Sequence, residues 1–266
     1  MPDRFPDWVA YEPELLPSLS RMAEEGIPVL EEWFRWGEEW SMLLRIYGKL
    51  GRRSRIFEIG CGQGRIAFPL RYLLSAEGGY TGFDIDRRKL QFLRSVFPLK
   101  HSNFRFELAD LRNSFYNPGG RTSPTEYRFP VDDQSQDLVF AASVFTHMLP
   151  DNVLHYFREA ARALRSGGRC VFSFFLLDYY DPERSRPHPF DAARFSLDHP
   201  HAGYGDELAV VEPAVPERMT GYRSSLVARM AAEAGLRFVE DPVPGIWSGA
   251  FDNGILAQDL VILSTL

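Results

Sequence analysis

Two cysteines among 266 residues, Cys61 and Cys170, are too few for a disulfide framework, and both adjoin apolar runs that read as buried strands. The sequence also has no apolar run long enough to span a bilayer. Its first residues, "MPDRFPDWVAYEPELLP", are acidic, aromatic and proline-rich, unlike a targeting peptide. These absences point to a cytoplasmic setting with no membrane partner. Positive charge is scarce as well: 30 Lys and Arg stand against 36 Asp and Glu, a net charge of −6, and no basic block stands out. That argues against a nucleic-acid partner. No internal repeat or low-complexity tract occurs. What remains, 45% hydrophobic and 25% charged, is the make-up of a globular domain with a sizeable core.

From "RIFEI" (55–59) onward, short β-rich runs alternate with helical patterns. The strand candidates are 80–86, 103–110, 137–144, 169–177, 236–240 and 258–266. Several are apolar throughout, as strands covered on both faces are. The clearest helix covers 151–165, with Asp151 as N-cap, Leu154, Phe157, Ala161 and Leu164 at helical spacing, and Gly167 and Gly168 after its end. A second covers 224–234 and ends near Gly235. Strands alternating with helices predict an α/β fold with a doubly wound, mainly parallel sheet. Three regions exceed a minimal α/β unit: a helical, tryptophan-bearing stretch at 1–50, a turn-rich stretch at 111–136, and a Pro-, His- and Asp-rich stretch at 178–222. A stretch as long as the last usually shapes a site.

The sharpest signal is "FEIGCGQG" (57–64), where three alternating glycines follow a strand. Such a turn lets backbone approach a ligand closely, with a helix N-terminus behind it. Asp84 follows 20 residues after Gly64 at the end of the next strand, where a carboxylate can accept hydrogen bonds from both ribose hydroxyls. Two details bear on the cofactor. The nicotinamide fingerprint G-x-G-x-x-G needs a glycine three residues after Gly62, and Arg65 stands there. Glu58 lies two residues before the first glycine, where a carboxylate suits a cofactor amino group better than a pyrophosphate.

With these residues, "EIGCGQG" (58–64), "GFDID" (82–86), "ELADL" (107–111), "DLVFAASVFTHML" (137–149) and "ALRSGGRCVFSF" (163–174), the chain resembles the class I S-adenosylmethionine-dependent methyltransferases, bacterial members acting on small molecules included. The resemblance covers about residues 50–177 and 222–266. It implies a Rossmann-like seven-stranded sheet in the order 3-2-1-4-5-7-6 with the last strand antiparallel. The domain would span 51–266, with 1–50 as an N-terminal helical cap and 178–222 as a lid insertion. It also implies cofactor contacts. Glu58, Gly60, Cys61, Gly62 and Gly64 would surround the methionine part of S-adenosyl-L-methionine. Asp84 would hold the ribose, with Ile85 on the adenine; Asp110 would reach the adenine amino group beside Leu111; Ala142 and Ser143 would lie near the sulfonium. The implied activity is methyl transfer to a small-molecule acceptor, most readily a hydroxyl. The alternatives are a Rossmann-type oxidoreductase and a catalytically silent cofactor-binding module.

His147, in "VFTHML", falls past the carboxyl end of the fourth strand and is the candidate base, since imidazole takes protons near neutral pH. A plain hydrogen-bonding or capping role is its alternative. His188, His199 and His201 with Asp181, Asp191 and Asp198 could suggest a metal, but loop spacing does not fix geometry, and no metal site is assigned. Asp178 is a second place for a base or substrate contact. Trp33, Trp36 and Trp40 do not share one helical face, so part of that surface should be exposed or cover something.

Overall fold

The computed structural model describes residues 12–24, 26–27, 29–184, 196–251 and 256–265. In chain order these form α1 (Leu19–Glu24), α2 (Leu30–Ile46), β1 (Arg55–Ile59), α3 (Ala67–Leu73), β2 (Gly79–Asp84), α4 (Arg87–Lys100), β3 (Phe104–Leu108), β4 (Gln136–Ala141), α5 (Pro150–Ala163) and β5 (Leu164–Phe174). Then follow β6 (His199–Pro200), β7 (Leu208–Val210), β8 (Thr220–Tyr222), α6 (Ser224–Glu233), β9 (Leu236–Phe238) and β10 (Asp259–Thr265).

The main sheet runs β3-β2-β1-β4-β5-β10-β9. Because β6 to β8 form a separate small sheet, this is the expected order 3-2-1-4-5-7-6. Strands β1 to β5 pair in parallel, and β10 runs antiparallel to both β5 and β9. Alternation along β1 sends Phe57 and Ile59 into one apolar layer and Ile56 into the other. The first layer is closed by α5 and α6, the second by the N-terminal helices with α3 and α4. Strands buried on both faces are the reason for their continuous apolar runs.

Three details depart from the expectations set by the sequence. Helix α5 begins at Pro150 with Leu149 at its N-cap and no side-chain cap, so Asp151 lies inside its first turn. Proline at the first helical turn sets that start, because its missing N–H is not needed there. The chain then passes from α5 directly into β5 at Leu164, and Gly167, at φ +77°, lies inside the strand assignment. Strand β4 ends at Ala141, leaving 142–144 as bends ahead of a 3-10 turn at Phe145–His147.

No α-helix bridges β3 and β4. Instead an extended segment lays Phe129 into the core against Phe57 (4.9 Å between ring centres) and Tyr156 (5.1 Å). Helix α5 holds it there: Glu159 accepts from the Phe129 N–H at 2.8 Å, and the Arg162 guanidinium donates to the carbonyls of Phe129 and Val131 at 3.1 and 3.0 Å. One buried ring and three polar arms stand in for a crossover helix.

Candidate functional site

Strands β1, β2 and β4 end side by side, and open α/β sheets bind ligands at that edge. The turn after β1 carries Gly60, Gly62 and Gly64, all with positive φ, at +71°, +53° and +80°. A Cβ at Gly60 would sit 2.5 Å from Val144 Cγ2, and one at Gly64 would sit 2.7 Å from Leu93 Cδ2. Conformation and space therefore both demand glycine. The Cys61 N–H donates to the Phe83 carbonyl at 2.9 Å, which fastens the turn to the end of β2.

Asp84 closes the same turn from the other side. One carboxylate oxygen accepts from the Gly62 N–H and the other from the Asp86 N–H, both at 2.8 Å. A carboxylate at this strand end is the kind of acceptor that ribose hydroxyls require. Glu58 is buried beneath the turn and accepts from the Tyr80 hydroxyl. Burial, with Glu58 nearby, pushes the Tyr80 hydroxyl pKa well up, so it stays a donor. Burial likewise pushes the Cys61 thiol pKa well up, which makes Cys61 a packing residue and no nucleophile.

Asp110 lies just past β3 and accepts from Arg121 Nε at 2.6 Å, which holds its carboxyl pKa below the usual range. Leu111 beside it is buried, and Ile85 packs partly buried on the core. The set is a small cradle at Gly60, the strand-end carboxylate of Asp84, and apolar Ile85 and Leu111. It fits S-adenosylmethionine, whose sugar needs acceptors and whose base needs apolar cover.

The N-terminal helices pack over this turn. Gln63 Nε2 donates to the Arg21 carbonyl of α1, and the Arg65 guanidinium lies 5.1 Å from the Trp36 ring centre. Gly37 of α2 lies against the Arg65 carbonyl, where a Cβ would come within 2.5 Å. Trp33 and Trp40 are core residues, so Trp36 alone of the three faces the turn.

On the other side of the mouth, Ala142 and Ser143 follow β4. Ser143 adopts φ +57°, uncommon for a residue with a side chain, and its N–H donates to Ser173 Oγ on β5 at 2.8 Å. His147 closes the turn. Its Nδ1 lies 2.8 Å from the Arg218 carbonyl, and because a carbonyl can only accept, Nδ1 carries the hydrogen. The neutral ring then has Nε2 as its proton acceptor, and Tyr116 Oη lies 3.4 Å from it. The turn is clasped by β8: Thr220 Oγ1 donates to the carbonyls of Phe145 and Met148 at 3.1 and 3.2 Å, and the Tyr222 hydroxyl also donates to Met148.

The remaining candidates separate from the mouth. Asp178 accepts from the Ser224 N–H at 2.7 Å and Ser224 Oγ at 3.0 Å, which ties it to the first turn of α6. Asp198 accepts from the Tyr180 hydroxyl at 2.9 Å and from Ser196. His188 and Asp191 lie outside the described residues. Among the described residues, no group of three His, Cys, Asp or Glu is placed to hold a metal ion.

Sequence reasoning missed four participants: Asn113, Tyr116, Ser173 and the Arg218 carbonyl. Asn113 and Asn117 flank a tight turn, and that spacing was the one available signal. A backbone carbonyl 71 residues from the histidine it orients leaves no trace in side-chain patterns.

Comparisons with known proteins bear on this geometry. Residues 57–172 match the family model described as a methyltransferase domain. A stretch of 137 residues is 31% identical to 27-O-demethylrifamycin SV methyltransferase of Amycolatopsis mediterranei, covering 50% of this chain and 43% of that protein. The chain thus matches less than half the length of that relative. The structure of an S-adenosylmethionine-dependent methyltransferase from Mesorhizobium loti is similar at a TM-score of 0.56 and 17% identity, covering 85% of this chain and 96% of that one. The CcbJ methyltransferase of Streptomyces caelestis gives 0.54 and 16%, covering 86% and 89%. At such identities the structural likeness speaks for the fold. The family match falls on the glycine turn, Asp84 and the β4 edge. Over residues 57–172, therefore, the chain matches a methyltransferase domain, and it does so on the fold of the S-adenosylmethionine-dependent methyltransferases.

Proposed function

We propose that the protein methylates a hydroxyl of a small molecule, with His147 as the general base. The observation that carries this reading is the tautomer of His147. With Nδ1–H donated to the Arg218 carbonyl, the ring presents Nε2 as a base just past β4, on the same turn as Ser143. When bound, S-adenosylmethionine supplies an electrophilic methyl group, its sulfur leaving as a neutral thioether with the C–S electron pair as the acceptor oxygen forms the new C–O bond.

The chain's residues have complementary roles. Gly60, Cys61, Gly62 and Gly64 offer backbone to the methionine part, with Glu58 beneath them. Asp84 accepts from the ribose hydroxyls. Ile85 and Leu111 cover the adenine, and Asp110 accepts from its amino group. Ala142 and Ser143 border the reacting centre. His147 Nε2 takes the acceptor's hydroxyl proton and becomes an imidazolium while Nδ1–H stays on the Arg218 carbonyl. Alignment and proton removal are what such a displacement asks of a protein.

Within 178–222, the described strand β8 and the segment around Arg218 border the acceptor side through their hold on the His147 turn. The relative from Amycolatopsis, named for methyl transfer to 27-O-demethylrifamycin SV, favours a small-molecule acceptor. Acidic net charge and the lack of a basic stripe favour no nucleic-acid partner. Two buried free thiols suit the cytoplasm.

The test is incubation with S-adenosylmethionine carrying an isotopically labelled methyl group and matched hydroxyl, amine and thiol acceptors, read by mass spectrometry. Label should appear on hydroxyl acceptors. Label on amines or thiols alone would sink the oxygen reading.

A further inference from the structure

Two large aromatic side chains stand in the open beside the proposed base. Phe115 is 45% exposed and Tyr116 58% exposed, unusual for rings that the surrounding chain holds so firmly. Asn113 fixes the turn that carries them. Its Oδ1 accepts from the N–H groups of Phe115 and Tyr116 at 3.0 and 2.8 Å, and its Nδ2 donates to the His147 carbonyl at 2.9 Å. Glu217, itself buried, accepts from the Ser114 N–H at 2.6 Å and ties the turn to the segment whose Arg218 carbonyl orients His147. The aromatic turn and the base are thus one rigid assembly.

The rings are arranged as a corner. Phe115 and Tyr116 meet edge to face at 4.8 Å and 77°, and Tyr116 and His147 meet at 5.0 Å and 85°. Phe115 and the imidazole lie in nearly parallel planes, 11° apart, with centres separated by 6.5 Å. A flat ring laid on the Phe115 face therefore lies parallel to the imidazole plane. The Nε2 lone pair points within that plane, and a hydroxyl attached to a flat ring also lies in its ring's plane.

Resting on the proposed hydroxyl methylation, we propose that the acceptor is a phenol, its ring stacked on Phe115 and bounded by Tyr116, its hydroxyl directed to His147 Nε2. Base strength points the same way independently. Imidazole, at about 6.5, is far better matched to a phenolic hydroxyl near 10 than to a saturated alcohol, whose hydroxyl ionises close to water's 15.7. Proton transfer is efficient when the two partners' values lie near each other. The phenolic proton passes to Nε2, the phenolic oxygen forms the bond to the methyl carbon, and the sulfur keeps the electron pair of the broken C–S bond. The exposed, rigid aromatics then serve as a stacking platform at low entropy cost.

The experiment compares a set of hydroxynaphthalenes and other phenols with their ring-hydrogenated counterparts of the same skeleton, at saturating S-adenosylmethionine. Wild type should favour phenols at least tenfold in kcat/KM. Phe115→Leu, which keeps apolar bulk but loses the flat face, should remove most of that preference through KM. It should leave the affinity for S-adenosylhomocysteine, measured by calorimetry, within twofold, which also certifies folding. Equilibrium dialysis of 2-naphthol against the S-adenosylhomocysteine complex should show about tenfold weaker binding in Phe115→Leu. A phenol preference below tenfold, or one that Phe115→Leu retains, overturns the phenol assignment and leaves hydroxyl methylation standing. Methyl transfer to neither set, with S-adenosylhomocysteine still bound, overturns both.

Discussion

The two sides of the site mouth are built in different ways. The side proposed for the cofactor is made of backbone: three glycines, the N–H of Gly62 on Asp84, and the N–H of Cys61 on Phe83, all within some two dozen residues of chain. The side proposed for the acceptor is made of long-range clasps, with Arg218 71 residues from His147, Thr220 75 from Phe145, and Glu217 103 from Ser114. A site that must recognise one fixed molecule can be written as a local backbone shape. A site that must choose among acceptors is assembled from elements added around it. The contrast also holds for two carboxylates. Asp84 is partly exposed and serves two local N–H groups. Asp259 is wholly buried and gathers three distant donors: the N–H groups of Leu176 and Gly245 and the Trp247 indole, at 2.7, 2.7 and 2.6 Å.

The largest effect expected separates the two sides by chemistry. His147→Gln should lower kcat by about 10²- to 10⁴-fold, the usual worth of a general base. Its S-adenosylhomocysteine affinity should stay near wild type in calorimetry; a parallel loss of affinity would erase the division.

Gly60→Ala strikes a place where the two sides touch. A positive φ costs about 1–2 kcal/mol in a residue with a Cβ, and the 2.5 Å approach to Val144 Cγ2 adds to it. Cofactor affinity should drop by at least about tenfold. Because Val144 belongs to the His147 turn, kcat should fall too. An unchanged kcat would show that the two sides do not share this contact.

Asp84→Ala removes the local carboxylate. Losing hydrogen bonds to a charged group costs about 1.5–3 kcal/mol, so cofactor affinity should weaken by roughly ten- to a hundredfold with little change in acceptor KM. A selective rise in acceptor KM would break the comparison.

Asp259, which gathers distant donors, gives a pH signature of its own. Burial raises its carboxyl pKa to about 6, against the opposing pull of its three donors. The unfolded chain releases that proton near 4. This group's contribution to stability is therefore complete below about pH 4 and diminishes as pH rises through about 6. Urea unfolding of wild type measured relative to Asp259→Asn should show that decline, on the order of 1–3 kcal/mol. A difference that is flat between pH 4 and 7 would show that burial does not perturb Asp259.

The smallest effect should come from Tyr222→Phe, which deletes one hydrogen bond to Met148. Stability should fall by about 1 kcal/mol, and kcat by a few-fold as the His147 turn loosens. Cofactor affinity should not respond.

The same contrast sets what was legible in the sequence. Glycine spacing, the strand-end Asp84 and the apolar strands read directly, because each is a local pattern. The strand order followed from resemblance and matches the sheet once the small β6–β8 sheet is set aside. His147 stands out by its place after β4, yet its tautomer does not, since that is fixed by a carbonyl in another element. The Ser224 partner of Asp178 does not read from the sequence, because a carboxylate just past a strand looks the same whether it meets a ligand or a distant helix. Phe129 fills the place a crossover helix would take, and a single buried ring in a turn-rich stretch has no periodicity to announce it.

The clasp of β8 on the His147 turn has a further consequence, for the order in which the chain assembles. Contacts close in sequence form early, while those that close long loops come late. During synthesis the glycine turn and β2 leave the ribosome with their mutual hydrogen bonds, Gly62 to Asp84 and Cys61 to Phe83, already within reach. The His147 turn, by contrast, must await Arg218, Thr220 and Tyr222. A nascent chain should therefore complete its cofactor cradle before its acceptor side, and a ligand of that cradle could act on folding as a template before any catalysis is possible.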